Sequence, residues 1–282
     1  MTGPLIRALE AADLATASTV TAASFGIDLR EPATADRLRA RLAHPLLTDP
    51  DGGFVAERDG RLIGVAQAVV RERLWCLSLL AVEPGAQSAG AGRALLERTL
   101  AYGAHADAGL IPSSNDPRAL RLYALTGFSL LPTFEATGEI DRRKLPAPGP
   151  EVREGGPGDL EALAAISRDI RGAPHTLELE YALRGGARLV RVAGRGFAVA
   201  SPDHGVWLLV AYDEPAATAL LAAALALIDR TDRPAVRWIT GDQQWAIELL
   251  LRAGLTLLPY GALCVRGRPG PLHPFLPSGP FA

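Results

Sequence analysis

Lysine is almost missing from this 282-residue chain, where Lys144 stands alone among 29 lysines and arginines. That scarcity removes several chemistries. A phosphate-gripping lysine of the Walker type follows a glycine-rich loop, yet Lys144 follows Asp141-Arg142-Arg143. A Schiff-base lysine needs an apolar pocket, whereas Lys144 leads into a proline run. Cysteine is scarce too: Cys76 and Cys264 lie far apart with no C-x-x-C, which excludes a disulfide framework and structural zinc. The histidines His44, His105, His175, His204 and His273 are too scattered for an H-x-x-x-H pair, so no metal is expected. Neither sign of charge dominates, and a formal net charge of −2 argues against a general nucleic-acid binder. No basic stretch followed by an apolar run opens the chain. The longest apolar run, from Ala216 to Ile228, falls short of a membrane span. A cytoplasmic protein, monomer or homodimer, without nucleic-acid or membrane partners is the expectation.

What is present describes a globular chain, 48% hydrophobic and 21% charged. Its length exceeds the roughly 100–200 residues of an ordinary domain, so two domains are expected. Leu145-Pro146-Ala147-Pro148-Gly149-Pro150 is the clearest linker, because its prolines lack backbone donors and resist helical dihedrals. The expected domains are 1–145 and 151–282. Across that linker runs a worn repeat. Ile6-Arg7 precedes Asp13-Leu14 by the interval separating Val152-Arg153 from Asp159-Leu160, and each aspartate is expected to cap the helix that follows. The segment from Gly60 to Ala66 answers to Gly194–Ala200, and Leu80-Ala81-Val82-Glu83-Pro84 to Ala211-Tyr212-Asp213-Glu214-Pro215. Gly127-Phe128-Ser129-Leu130-Leu131-Pro132 is echoed by Gly254-Leu255-Thr256-Leu257-Leu258-Pro259. The shared order points to duplication.

The first half reads as β-α-(α)-β-β-β-α-β-α-β. Gly53–Arg58 and Arg61–Val70 form an expected hairpin turning at Asp59-Gly60. Leu74–Val82 is a nearly continuous apolar run, the mark of a strand covered on both faces. Arg93–His105 has helical spacing, and Pro117 opens another helix through Leu125 before Gly127 stops it. Strands alternating with helices predict a layered α/β domain.

The segment joining that buried strand to the next helix is rich in glycine: Glu83-Pro84-Gly85-Ala86-Gln87-Ser88-Ala89-Gly90-Ala91-Gly92-Arg93. Glycines let backbone amides turn toward a bound anion, and the amides opening a helix have no partner within it. The helix dipole favours negative charge there. Hydrogen bonds to a charged group contribute about 1.5–3 kcal/mol each, so a few amides hold a pyrophosphate without lysine. Arg93 is placed to add charge at the rim. A dinucleotide fold would want a third glycine where Leu95 stands, and would place its loop after the first strand.

Gln87-x-x-Gly90-x-Gly92, after Leu79-Leu80-Ala81-Val82, resembles the acetyl-CoA motif of the GCN5-related N-acetyltransferases (GNAT). Ala119-x-x-Leu122-Tyr123-x-x-x-Gly127-Phe128, about thirty residues on, resembles that family's later helix and closing Gly-Phe. The likeness covers roughly residues 5–145. It implies tandem GNAT-like domains, each a mixed, mostly antiparallel sheet flanked by helices. It implies acetyl-CoA as acyl donor, with Gln87, Ser88, Ala89, Gly90, Ala91, Gly92 and Arg93 around the pyrophosphate. The pantetheine arm would lie along Leu79, Leu80, Ala81 and Val82 like an added strand, with Ser114, Asn115 and Pro117 on its other side. Asp116 stands where the family carries asparagine. Tyr123 stands where the family has its acid. A phenol of pKa about 10 serving a thiol of pKa about 8.5 faces only about 2 kcal/mol uphill. No general base is evident; Glu72, Glu135 and His44 are candidates, and water alone is the other. Cys76 reads as a buried, inert thiol.

The second half lacks both devices. Asp213-Glu214-Pro215 runs straight into Ala216, with no Gly-x-Gly, and Leu250 takes the place of Tyr123. It resembles the degenerate C-terminal domain of two-domain members. Asp169–His175 reads as a polar loop that could face a substrate. The Pro-rich tail from residue 269, with its Phe and Leu, is expected to dock across the domain interface or on a second subunit. The leading expectation is an acetyl-CoA-dependent N-acetyltransferase of a small amine, its acceptor chosen by irregular segments such as Phe25–Pro50. A non-catalytic acyl-CoA-binding or regulatory module is the alternative.

Overall fold

The computed structural model describes residues 3–87, 90–147, 149, 151–201, 205–228 and 234–280. Its contacts divide it into two compact units, Met1–Val70 with Trp75–Ala106, and Arg71–Leu74 with Asp107–Ala282. The expected element order of the first half is found, although the segment read as irregular holds a long helix.

In the first unit β1 (Leu5–Ala8), α1 (Leu14–Phe25), α2 (Pro32–Thr48), β2 (Gly53–Arg58), β3 (Arg61–Arg71), β4 (Leu74–Val82) and α3 (Ala91–Tyr102) follow in turn. The strands lie in that order, with β1 and β3 antiparallel to β2. Val55 and Ala56 are neighbours on β2 but belong to different apolar clusters. Strand alternation therefore puts α1 and α2 on one face and α3 on the other. Under α1 and α2 pack Val20, Leu38, Leu42, Val65 and Leu79. Under α3 pack Ile63, Ala66, Val82 and Leu95. A Cβ on Gly64 would stand 3.0 Å from Leu95, so glycine there lets α3 settle close to the sheet.

Two local expectations are corrected. Asp13 does not cap α1; its carboxylate accepts the Glu10 N–H (2.9 Å) and pairs with Arg7 (2.6 Å). Asp159 does the same in the second half, accepting the Gly156 N–H (2.9 Å) and pairing with Arg191 (2.9 Å). The repeat thus extends to side-chain geometry. The helix expected through His105 stops at Tyr102; Gly103, its C-cap, lies against the Trp75 indole with no room for a side chain.

The second unit carries β5 (Ala108–Ser113), α4 (Pro117–Leu125), β6 (Ser129–Thr137), β7 (Val152–Glu154), α5 (Leu160–Arg171), α6 (Thr176–Arg184) and β8 (Arg188–Val192). After these come β9 (Gly196–Ser201), β10 (Gly205–Ala211), α7 (Glu214–Leu225), β11 (Val236–Thr240), α8 (Gln244–Arg252), β12 (Thr256–Gly267) and β13 (Phe275–Leu276). From β7 to β12 the elements repeat the order seen from β1 to β6. One set of strands is ordered β5-β12-β6-β11 and another β13-β10-β9-β8-β7. Strand β12 is antiparallel to both its neighbours, with Ala262 opposite Ser113 on β5 and opposite Pro132 on β6.

A strand from the second half of the sequence therefore separates two strands of the first. This is why the compact units do not divide at the proline run. The halves 1–145 and 151–282 are halves of a repeat, and contacts group the chain differently. Mixed α/β architecture with mostly antiparallel sheets and flanking helices is what the sequence led one to expect.

Replacing Gly103 by alanine would place a Cβ 2.1 Å from Trp75 Cδ1. Overpacking of that kind costs about 1–3 kcal/mol, so the urea midpoint of Gly103→Ala should fall while the slope stays unchanged.

Candidate active site

Strand β4 is irregular at a useful place. Trp75 donates its indole N–H to the Thr99 carbonyl of α3 (2.8 Å), whereas Leu79 packs with α1 and α2. A regular strand would put both on one face, so β4 changes face between them, as a bulge does. A bulge turns peptide groups out of the ladder, and the Ser78 carbonyl there accepts from Arg41 (2.6 Å). Leu79, Ala81 and Val82 are buried and Leu80 half-buried.

Beyond β4 the chain makes one tight turn, closed by the Ala86 N–H donating to the Glu83 carbonyl (2.8 Å). The Gln87 side chain donates back to the Val82 carbonyl (2.9 Å), tying the loop to the strand it leaves. Ser88 and Ala89 lie outside the described residues. Gly90 then takes φ +86°, a left-handed conformation that favours glycine, and no side chain caps α3. Helices α4 and α7 differ: the Asp116 carboxylate accepts the Arg118 N–H at the start of α4 (2.8 Å), and Asp213 accepts the Ala216 N–H at the start of α7 (2.9 Å). The amides of Ala91, Gly92 and Arg93 thus open a helix whose cap carries no side chain. A Cβ on Gly92 would meet only Val82 Cγ2, at 3.7 Å. The Arg93 guanidinium, expected at the rim, pairs with Glu97 one turn on (3.1 Å).

The other motif is held separately, in the second unit. Ser114 is half-buried, and Asn115 and Pro117 are exposed. Asp116 is committed to its cap, and the Arg118 guanidinium holds its carboxyl below the usual range. Two residues of the second half support this loop and were not singled out from the sequence. Trp238 on β11 donates its indole N–H to the Ser113 carbonyl (3.0 Å). Gly261 on β12, at φ +57°, comes so close that a Cβ there would stand 2.0 Å from the same oxygen. Gly261 follows a recognised repeat block, which was the available signal. Trp238 had none.

Tyr123 is buried, 5% exposed, on α4. Burial raises its phenol well above the ordinary value, and the neighbouring Cys264 and Asp116 push the same way. Burial likewise pushes the Cys264 thiol up to about 12. Both groups keep their protons through the neutral range. Cys76 is fully buried.

The candidate bases are spread out. Glu72, in a turn at φ +54°, accepts from Arg168 (2.6 Å). Glu135 on β6 pairs with Arg237 (3.1 Å). His44 is buried in α2. His175, expected in a polar loop that could face a substrate, is instead completely buried, 3.0 Å from the Ser167 hydroxyl and beside Phe197 and Phe275. The packing of α5 against α6 takes it inward, which its Gly-Ala-Pro surroundings did not disclose. Among the described residues, no group of three or more histidine, cysteine or acidic side chains could hold a metal, and no helix is long and apolar enough to cross a membrane.

Both cysteines should resist iodoacetamide at about pH 8 in the native protein and label readily in urea, because only the thiolate reacts. Mass spectrometry after timed quenching reads this directly, and labelling of native Cys264 would contradict its burial.

Residues 20–128 match the Acetyltransferase (GNAT) family. Over 105 residues the chain is 44% identical to the mycothiol acetyltransferase of Thermomonospora curvata, covering 34% of this chain and 33% of that one. Over 98 residues it is 42% identical to the mycothiol acetyltransferase of Kineococcus radiotolerans, covering 34% and 32%. The match spans about a third of the length of these curated relatives. Among solved structures, a candidate acetyltransferase of Pyrococcus horikoshii superposes with a TM-score of 0.77 at 18% identity, over 95% of this chain and 90% of that one. A tandem GNAT protein from the clavulanic acid biosynthesis pathway gives 0.61 at 15% identity, over 94% and 98%. These two likenesses concern the fold.

Proposed function

Residues 20–128 match the GNAT family, and on that premise we propose that the chain transfers the acetyl group of acetyl-CoA to the amine of a small acceptor. The observation that carries this reading is the start of α3: a helix opened by a left-handed glycine, uncapped by any side chain, one loop after a buried strand. Amides so placed favour a diphosphate. Gln87, Ser88, Ala89, Gly90, Ala91, Gly92 and Arg93 are assigned to it. Leu79, Leu80, Ala81 and Val82 are assigned to the amide-bearing pantetheine arm, with Ser114, Asn115 and Pro117.

In the reaction, the neutral amine nitrogen attacks the thioester carbonyl and the C–S bond breaks. The sulfur leaves with its electron pair, and the nitrogen loses a proton. Tyr123 is assigned as the acid. Its raised pKa keeps it protonated, and it makes complete transfer to sulfur more uphill than for a free phenol. Its contribution is therefore foremost a hydrogen bond to the developing thiolate in a site of low dielectric. With Glu72 and Glu135 each engaged by an arginine, the amine's proton is assigned to water. The relatives' name makes the series around mycothiol the first acceptors to assay.

Tyr123→Phe should lose about 10²–10⁴-fold in turnover while keeping its affinity for acetyl-CoA; stopped-flow turnover beside a binding titration separates the two, and unchanged turnover would remove the phenol from the reaction. With an alkylamine acceptor, kcat/KM should climb about tenfold per pH unit up to the amine's own pKa, as the neutral fraction grows. Tyr123, still protonated, should cause no fall below about pH 10. A plateau far below the amine's pKa would instead reveal a protein base.

A further inference from the structure

The second half repeats the strand on which the first half is proposed to hold its donor. By the repeat, β10 stands for β4, Ala211 for Leu80, Val210 for Leu79 and Asp213 for Val82. Strands β10 and β11 meet near their first residues, where the Val206 N–H donates to the Ala235 carbonyl (2.7 Å). Farther along, the C-terminal segment lies between them. Its β13 pairs antiparallel with β10 on the edge away from β9, Phe275 opposite Val210 and Leu276 opposite Leu209. On the other side a Cβ on Gly279 would run into the Trp238 indole of β11, 2.2 Å away.

The bonding is that of an extended amide chain. The Ala211 N–H, at the position of Leu80, donates to the Pro274 carbonyl (3.2 Å). Gln243, which counts back from Gly254 to the place of Asp116, is 1% exposed and uses both ends of its carboxamide. Its oxygen accepts the Phe275 N–H (3.1 Å) and its nitrogen donates to the Leu272 carbonyl (2.9 Å). The space left beside the segment, about 10 Å³ lined by His175, Glu178, Trp207 and Ser278, has room for no more than a water. At the start of α7 the Asp213 carboxylate, held by Arg195 (2.6 Å), already accepts the Ala216 N–H (2.9 Å), and Pro215 beside it has no N–H to offer.

We infer that the second half's donor cleft is filled from within: residues 274–276 lie along β10 as the pantetheine arm is proposed to lie along β4, the chain then reaches Trp238 of β11 at Gly279, and the Asp213 carboxylate takes the seat of the diphosphate. This rests on the proposed function, which is what places pantetheine on β4. Pantetheine is itself a chain of amides, so a strand-pairing groove and a carboxamide side chain suit it and a peptide alike. The consequence is one acetyl-CoA per chain, with a tail that completes the fold of the half it closes.

The test uses a chain ending at Arg268 and a synthetic peptide of residues 269–282. The shortened chain should melt at a lower temperature, take up one peptide, and regain its thermal midpoint; tryptophan fluorescence follows the binding through Trp238. An unchanged midpoint without peptide uptake would overturn the inference. Should the shortened chain not fold, full-length Gln243→Leu carries the test: hydrogen exchange at the Ala211 and Phe275 amides should quicken by about tenfold or more, and unchanged exchange would overturn it. Calorimetry of the full chain should count one CoA, and a count of two would also overturn it. A count of zero, with the peptide still taken up, would fault the donor site of the first half and not the seating of the tail.

Discussion

The first amides of a helix have no partner inside it, and this chain resolves that constraint in opposite ways in its two halves. At α3 the cap is a glycine without a side chain, leaving the amides to an outside anion. At α7 the corresponding cap is an aspartate whose carboxylate supplies the negative charge from within. On the proposed reading, one half thereby suits a charged donor and the other is closed to it, on element orders that are otherwise the same. The near absence of lysine fits the proposed arrangement, in which main-chain donors do what an ammonium would do elsewhere.

Burial governs the second requirement. The proposed hydrogen bond from Tyr123 to sulfur needs a phenol that keeps its proton, and burial within α4, beside a thiol held neutral by the same surroundings, provides one. The residues that steady the neighbouring Ser113–Asn115 loop come from the second half: Trp238 by its indole, and Gly261 by bringing the β12 backbone against the Ser113 carbonyl. Duplication here did more than append a spare domain. Strand β12 became part of the framework on which the first half's later motif rests.

Much of this was legible beforehand, and the reasons are physical. Leu74–Val82 and Pro117–Leu125 were read at their observed limits, because a continuous apolar run and a proline followed by helical spacing are local signals. The glycine loop declared itself by composition, and the repeat by ordered blocks. What escaped depends on distant partners. The aspartates read as caps turn back to amides behind them, once arginines from other strands draw them aside. His175 is polar in sequence and buried in space, where Ser167 and two phenylalanines receive it. The exchange of β12 leaves no trace in local pattern, since a strand's neighbours are not written in its own residues. The tail, expected across the domain interface or on a second subunit, lies instead on β10 of its own half, held by Gln243, which the sequence analysis did not single out.

The most direct measurement is a calorimetric titration of acetyl-CoA into the chain and its Gly90→Asp variant, which gives α3 the kind of cap that α7 has. Aspartate tolerates left-handed backbone better than most residues, so the fold should persist. The account predicts that the variant loses at least about tenfold in affinity, because one charge-assisted contact contributes roughly 1.5–3 kcal/mol. Equal affinity in the two proteins would place the diphosphate elsewhere and contradict the account.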